Sequence, residues 1–157
     1  MESFEFINGG IELLDNVKPL WNKLNNYHLE KTISFKKKFT NMTFEVRMNK
    51  VINDNNLKVN IDLIKDKIID SYIGYCMSTV NNDLIGELSS IYIEKDYRKL
   101  GLGHELITKS LAWQNENNAK TKIIGVAVGN ENALGFYEKY GFYKRTIILE
   151  RINKELE

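Results

Sequence analysis

The pattern of hydrophobic and polar positions changes period twice along the chain. Near the start, apolar residues recur on one face of a 3.6-residue period, which predicts an amphipathic helix. That face consists of Leu13, Leu14, Val17, Leu20, Trp21 and Leu24. Pro19 fits this helix if Asn16 is its N-cap and Pro19 lies in the first turn, and a kink at Pro19 is the alternative. A weaker pattern over 31–52 predicts one or two short helices with a break near Thr40-Asn41.

Strand patterns surround and follow these helices. Residues 3–7 predict a short first strand, which ends at the Gly9-Gly10 turn signal. Strands are predicted over 58–64, 68–80 and 84–93, and their short connections predict an antiparallel meander. The last part predicts a helix over 102–111, a strand over 122–128, a helix over 132–140 and a final strand over 142–152. This alternation requires parallel strands, so we expect a single α/β domain spanning 1–157, with helices on the faces of one mixed sheet.

Composition and charge narrow the classes of function. The 157 residues carry 22 Lys+Arg against 21 Asp+Glu, a net charge of +1, which disfavours nucleic acid and anionic membranes as partners. Cys76 is the single cysteine, and with His28 and His104 it makes too scattered a set for a metal site. The first residues lack a basic cap and apolar run, and Lys outnumbers Arg 18 to 4. We therefore expect a cytoplasmic protein from an AT-rich bacterial genome, without a metal.

The most informative segment is the glycine turn after the strand that ends at Ile93. Its sequence, IYIEKDYRKLGLGHEL, is a strand, a short loop and then two glycines that open a helix. Glycines let the backbone approach a ligand closely, and free amides at a helix start attract an anion such as a pyrophosphate. The segment matches neither the P-loop nor the dinucleotide fingerprint. A tight strand-to-helix junction without a ligand is the alternative.

Two motifs in this half resemble those of a known superfamily. Arg98-x-x-Gly101-x-Gly103 resembles the [QR]-x-x-G-x-[GA] loop that binds the acyl-CoA pyrophosphate in GNAT superfamily N-acetyltransferases. The segment from Asn130 to Phe142 resembles the N-x-x-A-x-x-F-Y-x-x-x-G-F motif of the same superfamily without a gap, 27 residues after Gly103. The resemblance extends from about Leu84 to the end, whereas the first 80 residues match only in the order of their elements.

This resemblance implies the GNAT fold and its reaction. The fold has a mixed, mostly antiparallel sheet of six to seven strands, with a splayed parallel pair and about four helices on both faces. The reaction transfers the acetyl group of acetyl-CoA to a primary amine of a small molecule or peptide, by direct attack in a ternary complex. Homodimers are frequent among such proteins. The residues implied to bind the coenzyme are Ile91, Tyr92, Ile93, Arg98, Lys99, Leu100, Gly101, Leu102, Gly103, His104, Asn130, Ala133, Phe136 and Lys139.

The resemblance also implies two catalytic side chains. Glu87 would take a proton from the acceptor amine, and the alternatives are that it anchors the amine or is a plain surface carboxylate. Period two places Glu87 on the face of Ile91 and Ile93 unless a bulge shifts the phase. Tyr137 would protonate the departing thiolate, although its spacing also predicts packing of one helix face on the sheet. Cys76 is expected to be a small buried hydrophobe.

The sequence leaves two alternative functions open, and it does not identify the acceptor amine. A domain that binds acyl-CoA without turning it over, or a nucleotide-binding domain, would carry the same glycine turn. Residues 8–56 are expected to form the acceptor wall, in which His28 is one candidate contact. The near-neutral charge argues mildly against a polyamine or an aminoglycoside as acceptor.

Overall fold

A computed structural model describes residues 2–153. The strands are β1 (Phe4–Gly9), β2 (Lys58–Asp66), β3 (Ser71–Val80), β4 (Ile85–Ile93) and β5 (Thr121–Ile124). The helices are α1 (Leu14–Lys31), α2 (Lys36–Asn41), α3 (Phe44–Ile52), α4 (Leu102–Glu116) and α5 (Leu134–Glu138). Short 3-10 turns lie at Ile11–Leu13, Lys95–Tyr97 and Glu131–Ala133.

The described residues form one five-stranded sheet in the order β1-β2-β3-β4-β5. Each pair from β1 to β4 is antiparallel, and β4 pairs with β5 in parallel through the crossover helix α4. The predicted mixed sheet, the meander and the first parallel unit are therefore confirmed. The sheet has five strands, fewer than the six to seven expected.

The predicted final strand over 142–152 is wrong for the described part of the chain. Residues 142–153 form no helix or strand. Three of its apolar side chains are exposed, Ile147 by 78%, Ile148 by 87% and Leu149 by 91%. A strand needs a neighbour for its backbone hydrogen bonds, and this segment pairs with no described strand. β5 is also shorter than the expected 122–128, and no described strand pairs with its outer edge.

The structure distinguishes between the two placements that the sequence left open for Pro19. α1 begins at Leu14, after the 3-10 turn, so Pro19 lies inside the helix and not in a first turn capped by Asn16. Proline has no amide hydrogen, so the Asp15 carbonyl loses its usual helical donor there. The break near Thr40-Asn41 is confirmed, because α2 ends at Asn41.

Two apolar clusters cover the two faces of the sheet. The first joins α1 and α3 to the sheet through Val17, Leu20, Trp21, Phe44, Met48, Ile61, Leu63, Tyr75 and Met77. The second joins α4 and α5 to the opposite face through Ile64, Ile73, Cys76, Leu88, Leu102, Leu106, Ile107 and Tyr137.

Among residues 2–153, no helix combines the length and apolar character that crossing a bilayer requires. The same residues hold no group of three or more His, Cys, Asp or Glu side chains placed to bind a metal ion.

Candidate active site

The parallel strands β4 and β5 separate halfway along β4. Their pairing runs from Ile85 opposite Thr121 to Leu88 opposite Ile124 and then stops. On the other side of β4, a bulge leaves Ser89 without a cross-strand partner, since Met77 pairs with Ser90 and Ser78 with Leu88. From Ser89 to Ile93 the outer edge of β4 has no strand partner among the described residues.

The direction of the β4 backbone determines which groups face this open edge. The amide of Glu94 donates to the Ile73 carbonyl of the β3 side at 2.8 Å. Successive residues of a strand direct their backbone N–H and C=O groups to opposite sides. The backbone groups of Tyr92 therefore also face β3, whereas those of Ile91 and Ile93 face outward. The Ile93 carbonyl accepts from the Nε of Arg98 at 2.9 Å, which agrees with this direction. Of the neighbouring residues Ile91 and Tyr92, both implied to bind the coenzyme, Tyr92 therefore directs its amide into the sheet, and Ile91 directs its amide to the open edge.

The glycine loop lies just beyond this edge and leads into α4. Gly101 is the N-cap of the 15-residue helix and has a left-handed backbone with φ of 80°, and Lys99 is left-handed too, with φ of 67°. No amide from Lys99 to His104 donates a hydrogen bond to another described residue. Those amides, at the positive end of the helix dipole, form a site suited to an anion.

Space around the glycines supports this arrangement. A Cβ placed on Gly101 would have no atom within 4 Å, whereas one on Gly103 would lie 3.3 Å from Cζ of Phe136. The Leu102 side chain is buried in the α4-side cluster, and that of Leu100 is 53% exposed. Leu102 and Phe136 therefore pack on the core side of the loop, while Gly101 is exposed to solvent.

The second motif packs against the start of α4. The rings of Phe136 and Tyr140 meet edge to face, with centroids 5.4 Å apart, and the Tyr140 hydroxyl lies 2.9 Å from Nδ1 of His104. Ala133 is half-buried against the same cluster, and Lys139 is exposed. Asn130 precedes the short 131–133 turn, but its side chain does not cap it.

Glu87 lies on the α1–α3 side of the sheet. It is half-buried and pairs with Thr79 on β3 and Ile123 on β5. The neighbouring residue Ser78 contacts Ser110 of α4 on the opposite face, so Thr79 and its partner Glu87 face α1 and α3. The bulge at Ser89 shifts the phase, which puts Ile91 and Ile93 on the α4 side. This bulge is the exception that the period-two prediction allowed for, and Glu87 therefore does not share the face of Ile91 and Ile93.

Tyr137 and Cys76 are both buried beneath α4. The Tyr137 side chain is 9% exposed, and burial, with a smaller effect of Cys76, raises the pKa of its hydroxyl to about 12. The group therefore keeps its proton at neutral pH. Burial also raises the pKa of the Cys76 thiol to about 12, so Cys76 remains a protonated thiol and not a nucleophile. The expected buried character of Cys76 is confirmed.

A cavity of about 230 Å³ opens on the α1–α3 side, beside the bulge in β4. It is lined by Trp21, Leu24, Asn25, His28, Lys38, Phe39, Met42, Arg47, Ser89 and Ser90. Burial lowers the pKa of His28, and its buried Nδ1 has no hydrogen-bond partner. His28 was predicted as a candidate contact, whereas Arg47 and Lys38 were not, because the lining comes from three helices and a strand with no shared motif. Another pocket, of about 370 Å³, lies near the start of α1 and the end of α3, and none of its lining residues is a predicted catalytic or coenzyme-binding residue.

The family described as "Acetyltransferase (GNAT) family" matches residues 26–142. An uncharacterized N-acetyltransferase of Methanocaldococcus jannaschii is 25% identical over 72 residues, which cover 46% of this chain and 32% of that protein. The chain thus matches only about a third of that curated relative's length.

Solved structures share the fold along nearly the whole chain. A candidate acetyl transferase from Pyrococcus furiosus is 20% identical, with 94% of this chain and 98% of that chain covered and a TM-score of 0.73. An aminoglycoside acetyltransferase from an uncultured soil metagenomic sample, in complex with sisomicin, is 14% identical, with 98% of both chains covered and a TM-score of 0.68. Aminoglycoside N-acetyltransferase AAC(6')-Iy, in complex with CoA, is 12% identical, with 96% and 95% covered and a TM-score of 0.65.

Proposed function

The chain belongs to the acetyltransferase (GNAT) family, and we propose that it transfers the acetyl group of acetyl-CoA to a primary amine of a small molecule or peptide. One observation carries this proposal. The backbone amides from Lys99 to His104 donate no hydrogen bond to a described residue, and they lie next to the open edge of β4. Both features supply main-chain donors, which a pyrophosphate and a pantetheine arm require. A structural relative in complex with CoA supports the same assignment.

The residues present fit such a cosubstrate. The amides of the glycine loop would hold the pyrophosphate, with Gly101 leaving room for it. The carbonyl of Ile91 and the amide of Ile93 would pair with the pantetheine as an added strand does. Asn130 would orient the arm through its side chain, and Lys139 would lie near the nucleotide phosphates. When bound, acetyl-CoA supplies an activated acetyl group.

Glu87 and Tyr137 are the proposed acid–base pair. Glu87 takes a proton from the acceptor amine, directly or through a water, so that the nitrogen can bond to the acetyl carbon as the carbon–sulfur bond breaks. Tyr137 gives its proton to the departing sulfur, and its raised pKa keeps that proton available at neutral pH. The amide of Ile91 is the donor available for the negative charge that develops on the carbonyl oxygen. Holding the amine and the thioester together accounts for the rest of the acceleration.

Paired variants at Gly101 test the coenzyme site. Asn and Asp both tolerate the left-handed backbone there, and they differ by one negative charge. We expect Gly101→Asn to bind acetyl-CoA within about threefold of the unmodified protein, the scale of a tolerated surface substitution. Gly101→Asp should bind at least about tenfold more weakly than Gly101→Asn, because its carboxylate repels the pyrophosphate. Isothermal calorimetry at low salt measures both, and equal affinities would contradict the proposed site.

Turnover distinguishes this enzyme from a domain that only binds acyl-CoA. Acetyl-CoA should raise the melting temperature by mass action on the folded state. Free thiol should then appear only when a suitable amine is added. Binding without thiol release across an amine library would favour the binding domain instead.

We also propose that two copies of the chain associate. The exposed apolar side chains of Ile147, Ile148 and Leu149, together with the unpaired edge of β5, are the surfaces that a second copy would cover. Light scattering should then give about twice the chain mass of 18.3 kDa. A monomer at micromolar concentration would contradict this.

A further inference from the structure

The cavity beside the β4 bulge has a distinctive charge. Among the described residues that line it, Arg47 and Lys38 are cationic and none is acidic. Lys38 is ion-paired with Glu150, with Nζ and Oε2 2.8 Å apart. The half-buried guanidinium of Arg47 makes no hydrogen bond or ion pair with any described residue. A net positive pocket repels a polycationic acceptor and attracts an anionic group.

Arg47 lines the same cavity as Ser89 and Ser90, the two residues of β4 at the bulge. Burial raises the pKa of the Tyr75 hydroxyl, and the positive charge of Arg47 opposes that shift. The Tyr75 hydroxyl in turn accepts a hydrogen bond from Oγ of Ser90 at 3.0 Å. Ser90 lies at the bulge, where the outer edge of β4 becomes free. Arg47 and the residues of the bulge therefore border one cavity.

The other lining groups specify a small, partly apolar ligand. Trp21, Leu24, Phe39 and Met42 supply an apolar wall. His28 faces this wall with its ring centroid 5.5 Å from that of Phe39, and its lowered pKa keeps it neutral at pH 7. Its buried Nδ1 has no hydrogen-bond partner among the described residues, so it can donate a hydrogen bond to a ligand or accept one, depending on the tautomer. A cavity of about 230 Å³ is smaller than the roughly 300–1,000 Å³ typical of sites for drug-sized ligands.

We propose that the acceptor is a small amine that also carries a carboxylate, which the Arg47 guanidinium binds while the apolar part of the acceptor packs against Trp21 and Phe39. Arginine suits this role because its planar fork matches the two oxygens of a carboxylate. This inference rests on the proposed acetyl transfer and restricts it to amino-acid-like acceptors. It also separates this chain from its fold relatives whose names include aminoglycosides.

Matched acceptors test the inference. Phenylalanine, phenylalaninamide and phenethylamine share the amine and the ring but differ in the carboxylate, and sisomicin serves as a polycationic probe. Thiol release with acetyl-CoA gives kcat/KM for each compound, and the melting temperature of the CoA-saturated protein gives a separate measure of binding. We expect phenylalanine to exceed phenylalaninamide by about 10- to 100-fold in kcat/KM, the range of a charge-assisted contact.

Three variants assign the preference to Arg47. Arg47→Gln should remove most of the preference, and Arg47→Lys should retain a part of it, because lysine keeps the charge and loses the fork. Lys50→Gln, at an exposed position of the same helix α3, removes one positive charge away from the cavity and should leave the preference unchanged. Calorimetry with acetyl-CoA should give the same affinity for all three variants, which shows that each is folded.

The outcomes separate this inference from the proposed function. Equal or better use of phenylalaninamide, phenethylamine or sisomicin, or a carboxylate preference that survives Arg47→Gln, would overturn the inference and leave acetyl transfer intact. Acetyl-CoA binding with no thiol release and no rise in melting temperature from phenylalanine would also overturn it. Failure to bind acetyl-CoA at all would instead remove the proposed function.

Discussion

The two sides of β4 are built from different parts of the polypeptide. On the proposed coenzyme side, the groups that face the site are backbone amides, those of Ile91 and Ile93 on the strand edge and those of residues 99–104 in the glycine loop. On the proposed acceptor side, the groups are side chains from α1, α2, α3 and the bulge. One site therefore joins a main-chain surface and a side-chain surface across a single strand.

This difference determines how each side responds to mutation. A main-chain surface keeps its donors whatever side chain is attached, provided that the backbone conformation and the open space survive. A side-chain surface loses its chemistry with one substitution. Four variants test this contrast between a main-chain and a side-chain surface, in order of decreasing expected effect.

Glu87→Gln should give the largest effect, because it removes the proposed base and leaves the coenzyme side intact. We expect kcat to fall by about 10²–10⁴-fold, the usual contribution of acid–base catalysis, with an unchanged affinity for acetyl-CoA. Thiol-release kinetics and calorimetry measure the two quantities. Glu116→Gln, at the exposed end of α4, is the matched control.

The form of the Glu87→Gln defect distinguishes the three roles open to this residue. A loss in kcat indicates a base, and a rise in KM for the amine at constant kcat indicates an anchor. Activity equal to that of Glu116→Gln would show that Glu87 is a plain strand carboxylate.

Gly129→Ala tests the contact between the segment after β5 and the C-terminus of α1. Gly129 follows β5, has φ of +99°, and a Cβ there would lie 2.6 Å from the backbone oxygen of Lys31, the last residue of α1. We expect the free energy of unfolding to fall by about 1–3 kcal/mol, since both the backbone and the contact are strained. Urea denaturation measures it. Gly135→Ala, where the Cβ meets open space, should cause no such loss, and equal stability of the two variants would rule out the close contact.

Tyr137→Phe should have a smaller effect on turnover than Glu87→Gln. We expect kcat to fall by about tenfold, near the low end for acid–base catalysis, because a thiolate leaves more readily than an alkoxide. Wild-type activity should not decline between pH 7 and 10 through loss of the Tyr137 proton, since its pKa lies near 12. An alkaline decline in that interval that disappears in Tyr137→Phe would contradict this.

The same raised pKa affects stability at high pH. The unfolded tyrosine ionises near its ordinary pKa of 10.0, below the folded pKa of about 12, so the contribution of this group to stability is complete below pH 10 and is lost as the pH rises towards 12. Tyr137→Phe should lose less stability over that interval than the wild type.

Leu100→Ala should have the smallest effect of the four variants. The Leu100 side chain is 53% exposed, and the proposed contribution of this residue is its amide, which alanine retains. Affinity for acetyl-CoA should change by less than about threefold, as expected for a surface substitution. A tenfold loss by calorimetry would show that side chains contribute to the coenzyme side as well.

The contrast between the two surfaces also explains what could be predicted from the sequence. The glycine turn opening a helix, the break between α2 and α3, and the burial of Cys76 and Trp21 follow from local spacing and were predicted correctly. The position of Pro19 in α1 stayed open, because proline locally favours a first turn, whereas the packing of Leu14 and Val17 on the sheet extends the helix before it. The strand expected over 142–152 has a suitable pattern but no partner.

The sequence by itself determined the order of the elements from β1 to α5 and the backbone features at Gly101 and Gly103, because periodicity and glycine conformation act over a few neighbouring residues. The tertiary structure alone decided three other things. They are the side of the sheet that Glu87 faces, the edge that the Ile91 amide faces, and the meeting of Arg47 with His28 in one cavity. Each depends on a bulge, a strand register or the packing of three helices, which join residues far apart in the chain, and no local pattern encodes those distances.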